Sequence, residues 1–248
     1  MIVEGTSISE CWLRALQALI ASSGKELSPF IASFWTDRAI PTYAGPLETD
    51  LNHFLDEIGQ PRISTTASTI FPSSLTGGVD DVFSRFDKVW KYVKHDSKNR
   101  NGHYFRRMTN YEDSCGNAIN QLQHILDTYN GIEGVRNPVH RRSALIATTF
   151  DPLKDHTAQP QRGFPCLQQV CFIPGKGQTL SVNAIYAMQY LSDRAYGNYL
   201  GLQRLGNFMA ERMGLKLQRV NCIASVLGLG KMKKADGREL LNKFEEYV

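Results

Sequence analysis

Cys166 is the residue whose type and setting are best suited to covalent chemistry. It follows Phe164-Pro165 and opens a predicted strand after the polar segment 154–163. A thiol exposed at the edge of a strand acts as a nucleophile when nearby cations favour its thiolate form. A buried structural cysteine is the commoner alternative for any single cysteine. Cys166 is therefore a candidate nucleophile that needs a second, independent signal.

A pair of adjacent arginines, Arg141 and Arg142, supplies that second signal. The pair follows the turn-forming Asn137-Pro138 and directly precedes a predicted strand. Two neighbouring guanidinium groups can bind a phosphate or a carboxylate through bidentate hydrogen bonds. In isolation the same pair is interpreted as solvent-exposed surface charge. Together, the cysteine and the arginines favour a catalytic interpretation of both.

Hydrophobic periodicity and turn residues predict the elements that position these groups. The capping box Ser7-Ile8-Ser9-Glu10 begins a helix that runs to Ser22 or Ser23. Further helices are predicted over residues 82–95, 118–129 and 195–213, and strands over 143–150, 166–173, 178–186 and 220–227. Prolines interrupt the pattern between residues 25 and 117, and the short segment 174–177 joins two of the strands as an antiparallel hairpin. The order predicts one α+β domain over residues 1–248, with a mixed β-sheet and packed helices.

The composition narrows the class of protein. With 42% hydrophobic and 21% charged residues, the chain is expected to fold into a globular domain. Its apolar stretches are too short to cross a membrane, and its N-terminus has no secretion signal. Five scattered cysteines predict free thiols in a reducing compartment, hence a cytoplasmic location, and none has the spacing of a metal site.

The basic segment 91–107 raises a separate possibility. It interleaves lysines and arginines with Tyr92, Tyr104 and Phe105. Basic residues among aromatics can bind nucleic acid. A solvated loop is the commoner and preferred explanation of such a segment, and no recognised nucleic-acid motif accompanies it. We therefore do not expect a nucleic-acid partner.

Several segments, taken in order, resemble the thymidylate synthase family. The chain passes Asn120-Gln121-Leu122, then Asn137-Pro138-Val139-His140-Arg141-Arg142, then Thr149-Phe150-Asp151-Pro152-Leu153-Lys154, and then Phe164-Pro165-Cys166-Leu167-Gln168. The similarity continues into Tyr196-Gly197-Asn198-Tyr199-Leu200-Gly201-Leu202 and covers residues 118–215 well and 1–24 plausibly. It implies a thymidylate-synthase-like fold and a homodimer.

The resemblance also implies a role for each candidate site residue. Cys166 adds to C6 of a pyrimidine nucleotide, so that C5 attacks 5,10-methylenetetrahydrofolate. Arg141 and Arg142 bind the nucleotide phosphate across the dimer interface. Asn198 hydrogen-bonds the pyrimidine edge, and Tyr104 is the active-site tyrosine.

Two further substrate-binding residues are less directly matched. Gln168 lies within the matched segment that contains the nucleophile. Arg194 stands near the position where the family has another phosphate-binding arginine. Both are expected to contact the nucleotide.

The chain also departs from the family. Leu167 stands where the family commonly has histidine after the nucleophile, and the residues that hold the deoxyribose hydroxyl are absent. No glutamate clearly matches the family's general acid/base, which leaves Glu48, Asp50 and Glu57 as candidates. The expected activity is methylation or hydroxymethylation of a uracil-like nucleotide at C5. The alternative is a catalytically degenerate nucleotide-binding protein of the same fold.

Overall fold

The computed structural model describes residues 1–37, 42–77, 81–95, 103–113, 115–131, 142–156 and 165–245, and the structural statements below concern these residues. The strands are β1 (Ile2–Gly5), β2 (Glu26–Leu27), β3 (Phe30–Trp35), β4 (Tyr111–Glu112), β5 (Ala118–Ile119), β6 (Ile146–Thr148), β7 (Leu167–Gly175), β8 (Thr179–Tyr190) and β9 (Lys216–Gly228). The helices are α1 (Ile8–Ala21), α2 (Ala44–Glu57), α3 (Ile63–Ile70), α4 (Val82–Val93), α5 (Tyr104–Thr109), α6 (Gln121–Asn130), α7 (Pro152–Asp155), α8 (Tyr196–Arg212) and α9 (Lys234–Lys243).

One mixed sheet organises the described chain. Its strand order is β1-β3-β9-β8-β7-β6, and the short β2 also pairs with β9. The pairs β1–β3 and β8–β9 are parallel, and the other pairs are antiparallel. This arrangement, with helices packed on the sheet, confirms the predicted α+β class.

The N-terminal helix begins where the capping box predicts. The Ser7 hydroxyl accepts a hydrogen bond from the Glu10 N–H at 3.2 Å, and the Glu10 carboxylate accepts from the Thr6 N–H at 2.7 Å. These bonds satisfy amides that have no partner inside the helix. The apolar side of α1 is buried, and its Trp12 donates to the Leu191 carbonyl at 3.1 Å. This contact fixes α1 against the segment that follows β8.

The predicted hairpin is present and longer than expected. β7 and β8 pair antiparallel, with a register shift between Leu167 and Gln169. β8 continues to Tyr190 because it pairs on its other side with β9. Backbone groups of a central strand are satisfied from both neighbours, which favours extension beyond the hairpin itself.

Two predicted elements begin markedly later than expected. The strand predicted over 143–150 shrinks to β6, because residues 142–144 form a 3₁₀ turn in which the Leu145 N–H donates to the Arg142 carbonyl at 3.3 Å. The helix predicted over 118–129 begins later, because Ala118–Ile119 pair with β4. Asn120 then caps α6 by accepting from the Gln123 N–H at 3.1 Å.

Helices α3 and α8 approach each other closely through two glycines. A Cβ atom added to Gly197 would lie 2.6 Å from the Thr66 Cβ and 2.9 Å from the Ile63 carbonyl oxygen. A Cβ atom on Gly201 would lie 2.7 Å from the Ala67 carbonyl oxygen. Only glycine fits at these positions without moving one helix, so the pair sets the distance between α3 and the start of α8.

The two faces of the sheet differ in burial. Residues Val182, Ala184 and Tyr186 of β8 are fully buried under the helices, whereas the alternate residues Asn183 and Ile185 remain partly exposed. We call the partly exposed side the open face. One row of cross-strand neighbours on it consists of Ile2, Ile31, Ile223 and Ile185, and the adjacent row consists of Glu4, Ser33, Asn221 and Asn183.

Polar residues on the open face bond to one another. Arg219 forms an ion pair with Glu4 and donates to the Ser33 hydroxyl at 2.6 Å. Asn221 donates to the side-chain oxygen of Asn183 at 2.7 Å. The side chains of the polar row thus bond to one another, and the isoleucine row beside it remains an apolar strip. In the described part of the chain, none of the helices combines the length and hydrophobicity needed to span a bilayer.

Candidate functional site

Cys166 lies at the entrance to β7, beside the end of β8. Its carbonyl accepts a hydrogen bond from the Ala187 N–H at 2.8 Å, and its side chain is half-buried against the core. The amide of Gln168 donates to the Pro165 carbonyl at 2.6 Å, which braces the turn that carries the thiol. The side-chain N–H of Gln168, a residue predicted to bind the substrate, is therefore already hydrogen-bonded within the protein.

Tyr104 is brought to Cys166 from a distant part of the sequence. It is the first residue of α5, and its hydroxyl accepts from the Leu167 N–H at 3.5 Å. Burial raises the pKa of Tyr104 to about 12, and the nearby thiol of Cys166 adds to that rise. The phenol is therefore protonated at neutral pH and can donate a hydrogen bond beside the thiol.

An ion pair fixes the helix that carries Tyr104. Arg107 donates to both carboxylate oxygens of Asp155, at 2.7 and 2.9 Å, and to the Thr149 carbonyl at 2.9 Å. Burial disfavours the charged form of Asp155, but the hydrogen bonds from Arg107 and from the Asp151 N–H outweigh it and hold its pKa below the usual value. This bidentate pair ties α5 to the segment after β6.

Among the described residues, Arg194 is the cation whose charge lowers the pKa of the Cys166 thiol. It lies in a π-helical turn (Leu191–Ala195) between β8 and α8, where it donates to the side-chain oxygen of Gln60 at 3.0 Å and contacts the Thr66 hydroxyl at 3.5 Å. Among the described residues, no carboxylate forms an ion pair with Arg194. Such π-turns occur frequently at functional sites. The guanidinium group retains charge that a bound anion could neutralise.

The charge state of Cys166 follows from two opposing effects. Burial raises the pKa of the thiol, and the positive charge of Arg194 lowers it by a smaller amount. The net direction is upward, so Cys166 in the free protein is a thiol rather than a thiolate. A single arginine is therefore insufficient to activate it in this state.

Arg142 is not assembled with Cys166 within one chain. Arg142 is exposed in the turn before β6, and the pairing of Ile146 with Cys171 places it toward the far end of β7. Arg141 lies outside the described residues. The electrostatic effect of Arg194, and not of Arg142, is felt at the Cys166 thiol.

Asn198 lies about one helical turn after Arg194 and so on the same side of the chain. It is buried, yet its side chain makes no hydrogen bond to any residue that the structure describes. An amide offers both a donor and an acceptor. Its position is compatible with the predicted contact to a heterocycle.

A cleft beside Arg194 contains residues that the sequence did not indicate. It is lined by Leu51, Leu55, Ile63, Thr66, Ser192, Asp193, Arg194, Tyr196 and Gly197. One oxygen of the buried Asp193 accepts from the Ser192 hydroxyl at 2.6 Å and from the Lys231 N–H at 2.9 Å. The second oxygen has no hydrogen-bond partner in the described chain, so it can accept from a ligand.

The three candidate acids have different surroundings. Glu48 accepts from the Tyr196 hydroxyl at 3.1 Å, and Tyr196 in turn contacts the Ser9 hydroxyl at 2.8 Å. Asp50 forms an ion pair with Lys243, and Glu57 is exposed. Only Glu48 is thereby connected to a residue of the cleft.

The described residues contain no group of three or more histidine, cysteine, aspartate or glutamate side chains arranged to hold a metal ion. The candidate site thus consists of a thiol, a protonated phenol, an unpaired guanidinium group and a cleft with a carboxylate acceptor. A comparison with protein-family models finds no match to this chain, and a comparison with curated proteins finds none either.

Proposed function

We propose that this protein transfers a one-carbon unit to C5 of a uracil-like pyrimidine nucleotide through a covalent adduct with Cys166. The observation that carries the proposal is the contact of the Tyr104 hydroxyl with the Leu167 N–H next to Cys166, together with the effect of the Arg194 charge on the Cys166 thiol. The three side chains come from separate segments of the chain. A thiol, a phenol donor and a cation in one half-buried place suit nucleophilic addition to a polar anionic ligand.

The chain's own groups would act as follows. The sulfur of Cys166 forms a bond to C6 of the pyrimidine, and the electrons of the C5–C6 double bond move to C5, which becomes the nucleophile. Arg194 favours the thiolate and attracts the anionic part of the nucleotide. Asn198 offers a donor and an acceptor to the ring edge. Loss of the C5 proton and cleavage of the C–S bond then release the product and the free thiol.

The proposed donor of the one-carbon unit is 5,10-methylenetetrahydrofolate. In this structure the cleft next to Arg194 has room for about one water molecule, so a flat ring with N–H groups would enter it only after the cleft opens. Leu51 and Leu55 would then provide apolar contact, and the unused carboxylate oxygen of Asp193 would accept from the ring N–H groups. The donor would supply the electrophilic carbon. After the C5 proton is lost, the bond between the transferred carbon and the folate nitrogen would break and release tetrahydrofolate. A hydride from that tetrahydrofolate, which would become dihydrofolate, would then give methylation, whereas addition of water would give hydroxymethylation.

A homodimer is part of the proposal, and the open face supports it. β8 has 12 residues, and the sheet is six strands wide because the short β2 lies in line with β3 beside β9. The face therefore measures roughly 40 by 24 Å at ~3.3 Å per residue and ~4.8 Å between strands. Because several strands are short, its area is on the order of 800 Å². Stable interfaces bury about 800 Å² on each partner. A second copy stacked on the isoleucine row would cover it.

We also propose that the protein is located in the cytoplasm. All five cysteines are free thiols, including the half-buried Cys171 on the open face. Free thiols are typical of reducing compartments.

The second candidate function is nucleotide binding without catalysis. The raised pKa of Cys166 favours it, because a protonated thiol is a poor nucleophile. Arg194, Asn198 and Asp193 could hold a nucleotide whether or not the thiol reacts.

A tritium-release assay tests the proposal. Protein and methylenetetrahydrofolate are incubated separately with C5-tritiated dUMP, UMP, dCMP and CMP. We expect release from a uracil nucleotide by the wild type, none by Cys166→Ser, and undiminished release by the matched control Cys115→Ser, whose thiol is exposed. Calorimetry should show that Cys166→Ser still binds the nucleotide.

Full release by Cys166→Ser would refute the covalent mechanism. Release from none of the four nucleotides, together with tight binding of one of them, would favour the binding protein. Analysis of the product by mass spectrometry distinguishes a methyl from a hydroxymethyl group.

A further inference from the structure

Tyr186 has a buried hydroxyl group without a partner. Its side chain is fully buried, and no hydrogen bond reaches its hydroxyl from any residue in the described parts of the chain. Buried polar groups in folded proteins are almost always hydrogen-bonded, because an unmade bond leaves the cost of removing the group from water uncompensated. An exception of this kind requires an explanation.

The position of Tyr186 connects it with Cys166. Tyr186 is the cross-strand neighbour of Leu167, and the next residue, Ala187, donates to the Cys166 carbonyl at 2.8 Å. The same Leu167 donates through its N–H to the Tyr104 hydroxyl. Tyr186 therefore lies directly behind the thiol and the phenol, on the helix-covered face of the sheet.

The electrostatic neighbours of Tyr186 agree with this placement. Burial raises the pKa of Tyr186 well above its ordinary value, and Cys222, Tyr104, Tyr199 and Cys166 contribute to the rise. The hydroxyl therefore keeps its proton at neutral pH. It can donate one hydrogen bond and accept another.

The fold itself does not force an unpaired hydroxyl. Tyr199 is equally buried nearby, and its hydroxyl donates to the side-chain oxygen of Gln189 at 3.2 Å. A phenylalanine at position 186 would fill the same space without the uncompensated group. The unpaired hydroxyl is thus a local cost to folding, and such costs concentrate at functional sites.

We propose that Tyr186 is a specificity-determining residue whose hydroxyl hydrogen-bonds the polar edge of the heterocycle that binds against Cys166. The inference rests on the proposed function and adds a recognition contact to it. Access requires Tyr104 to move, and its 3.5 Å bond from the Leu167 N–H is at the limit of a hydrogen bond. Ring carbonyl and N–H groups of a pyrimidine both match a phenol hydroxyl.

Tyr186→Phe and the matched control Tyr199→Phe test this inference. Melting temperatures are measured without ligand, and affinities for dUMP, UMP, dCMP and CMP are measured by calorimetry. We expect Tyr186→Phe to melt at or above the wild-type temperature and to bind the preferred nucleotide about 10-fold more weakly. Tyr199→Phe should melt at a lower temperature with unchanged affinity, because its lost hydroxyl was already bonded within the protein.

The outcomes separate this inference from the proposed function. A fall in melting temperature for Tyr186→Phe as large as that for Tyr199→Phe would mean that the hydroxyl has a structural partner, and would overturn the inference. Unchanged affinity in Tyr186→Phe, beside measurable wild-type binding, would overturn the inference alone. If the wild type binds none of the four nucleotides, the proposed function and the inference both fail.

Discussion

Replacing Gly197 by alanine tests how the packing of α3 on α8 positions the site. In a helix, alanine is intrinsically favoured over glycine by about 1 kcal/mol. Against this gain, the new Cβ would lie 2.6 Å from the Thr66 Cβ and 2.9 Å from a backbone oxygen of Ile63. Normal separation requires α3 to move by about 1 Å. Such overpacking typically costs about 1–3 kcal/mol, and more when backbone is involved.

We therefore expect Gly197→Ala to lower the free energy of unfolding by about 1–2 kcal/mol. For a chain of this size the melting temperature should fall by roughly 2–8 °C. Because Thr66 also contacts Arg194, nucleotide affinity should fall as well. Calorimetric melting and binding measurements provide both values.

The matched control is Gly45→Ala in α2. A Cβ atom there has no neighbour within 4 Å. This variant should melt at or slightly above the wild-type temperature, with unchanged nucleotide affinity. If Gly197→Ala gains stability like Gly45→Ala, the argument that the two glycines set the distance between α3 and α8 is wrong.

Two further predictions concern pH and assembly. Burial lowers the pKa of His103, which packs against Phe86, to about 4. Between pH 6.5 and 4 the unfolded chain therefore binds more protons than the folded chain. The free energy of unfolding is highest above pH 6.5 and declines as the pH falls towards 4, by about 2 kcal/mol between pH 7.5 and 5. In urea unfolding measured across this pH range, His103→Phe should show a smaller decline in stability. The control His124→Gln, at an exposed histidine, should show the same decline as the wild type. A decline in His103→Phe equal to that of the wild type would mean that His103 is not its cause. On the open face, Ile223→Lys should convert a dimer into monomers in analytical ultracentrifugation, whereas Leu153→Lys, at a side chain 92% exposed, should not. A monomeric wild type would refute the proposed dimer.

The sequence predicts best those elements whose pattern is local. The hairpin of β7 and β8, the helix α4 and the start of α1 depend on alternation, periodicity and a capping residue within a few positions. By contrast, β3 was missed, although Phe30–Trp35 is an apolar run. Prolines flank this strand, and its partners β1 and β9 are distant in the sequence, so its pairing has no local signal.

Prediction of the candidate site was limited in the same way, because its contacts join residues that are distant in the sequence. Cys166 was predicted from its own setting, and Tyr104 and Arg194 through a resemblance. In the structure, Tyr104 contacts the residue next to Cys166, and the charge of Arg194 affects the Cys166 thiol. The supports of Arg194 could not be predicted, because Gln60 and Thr66 are 134 and 128 residues away from it. The raised pKa of Cys166 was also not predictable, since it depends on burial by other elements.

The charge of the site links catalysis to assembly. Within its own chain, Arg142 is about 20 Å from Cys166 along β7 at ~3.3 Å per residue, which is beyond the reach of an arginine side chain. Arg194 alone leaves the pKa of the thiol raised. A nucleotide phosphate near Arg194 would weaken even that effect, because an anion opposes formation of a thiolate. The proposed chemistry therefore needs more positive charge than the described residues supply, and we propose that a second chain stacked on the open face supplies it. On this proposal an isolated monomer would resemble the nucleotide-binding alternative, and the enzyme would be active only as the dimer.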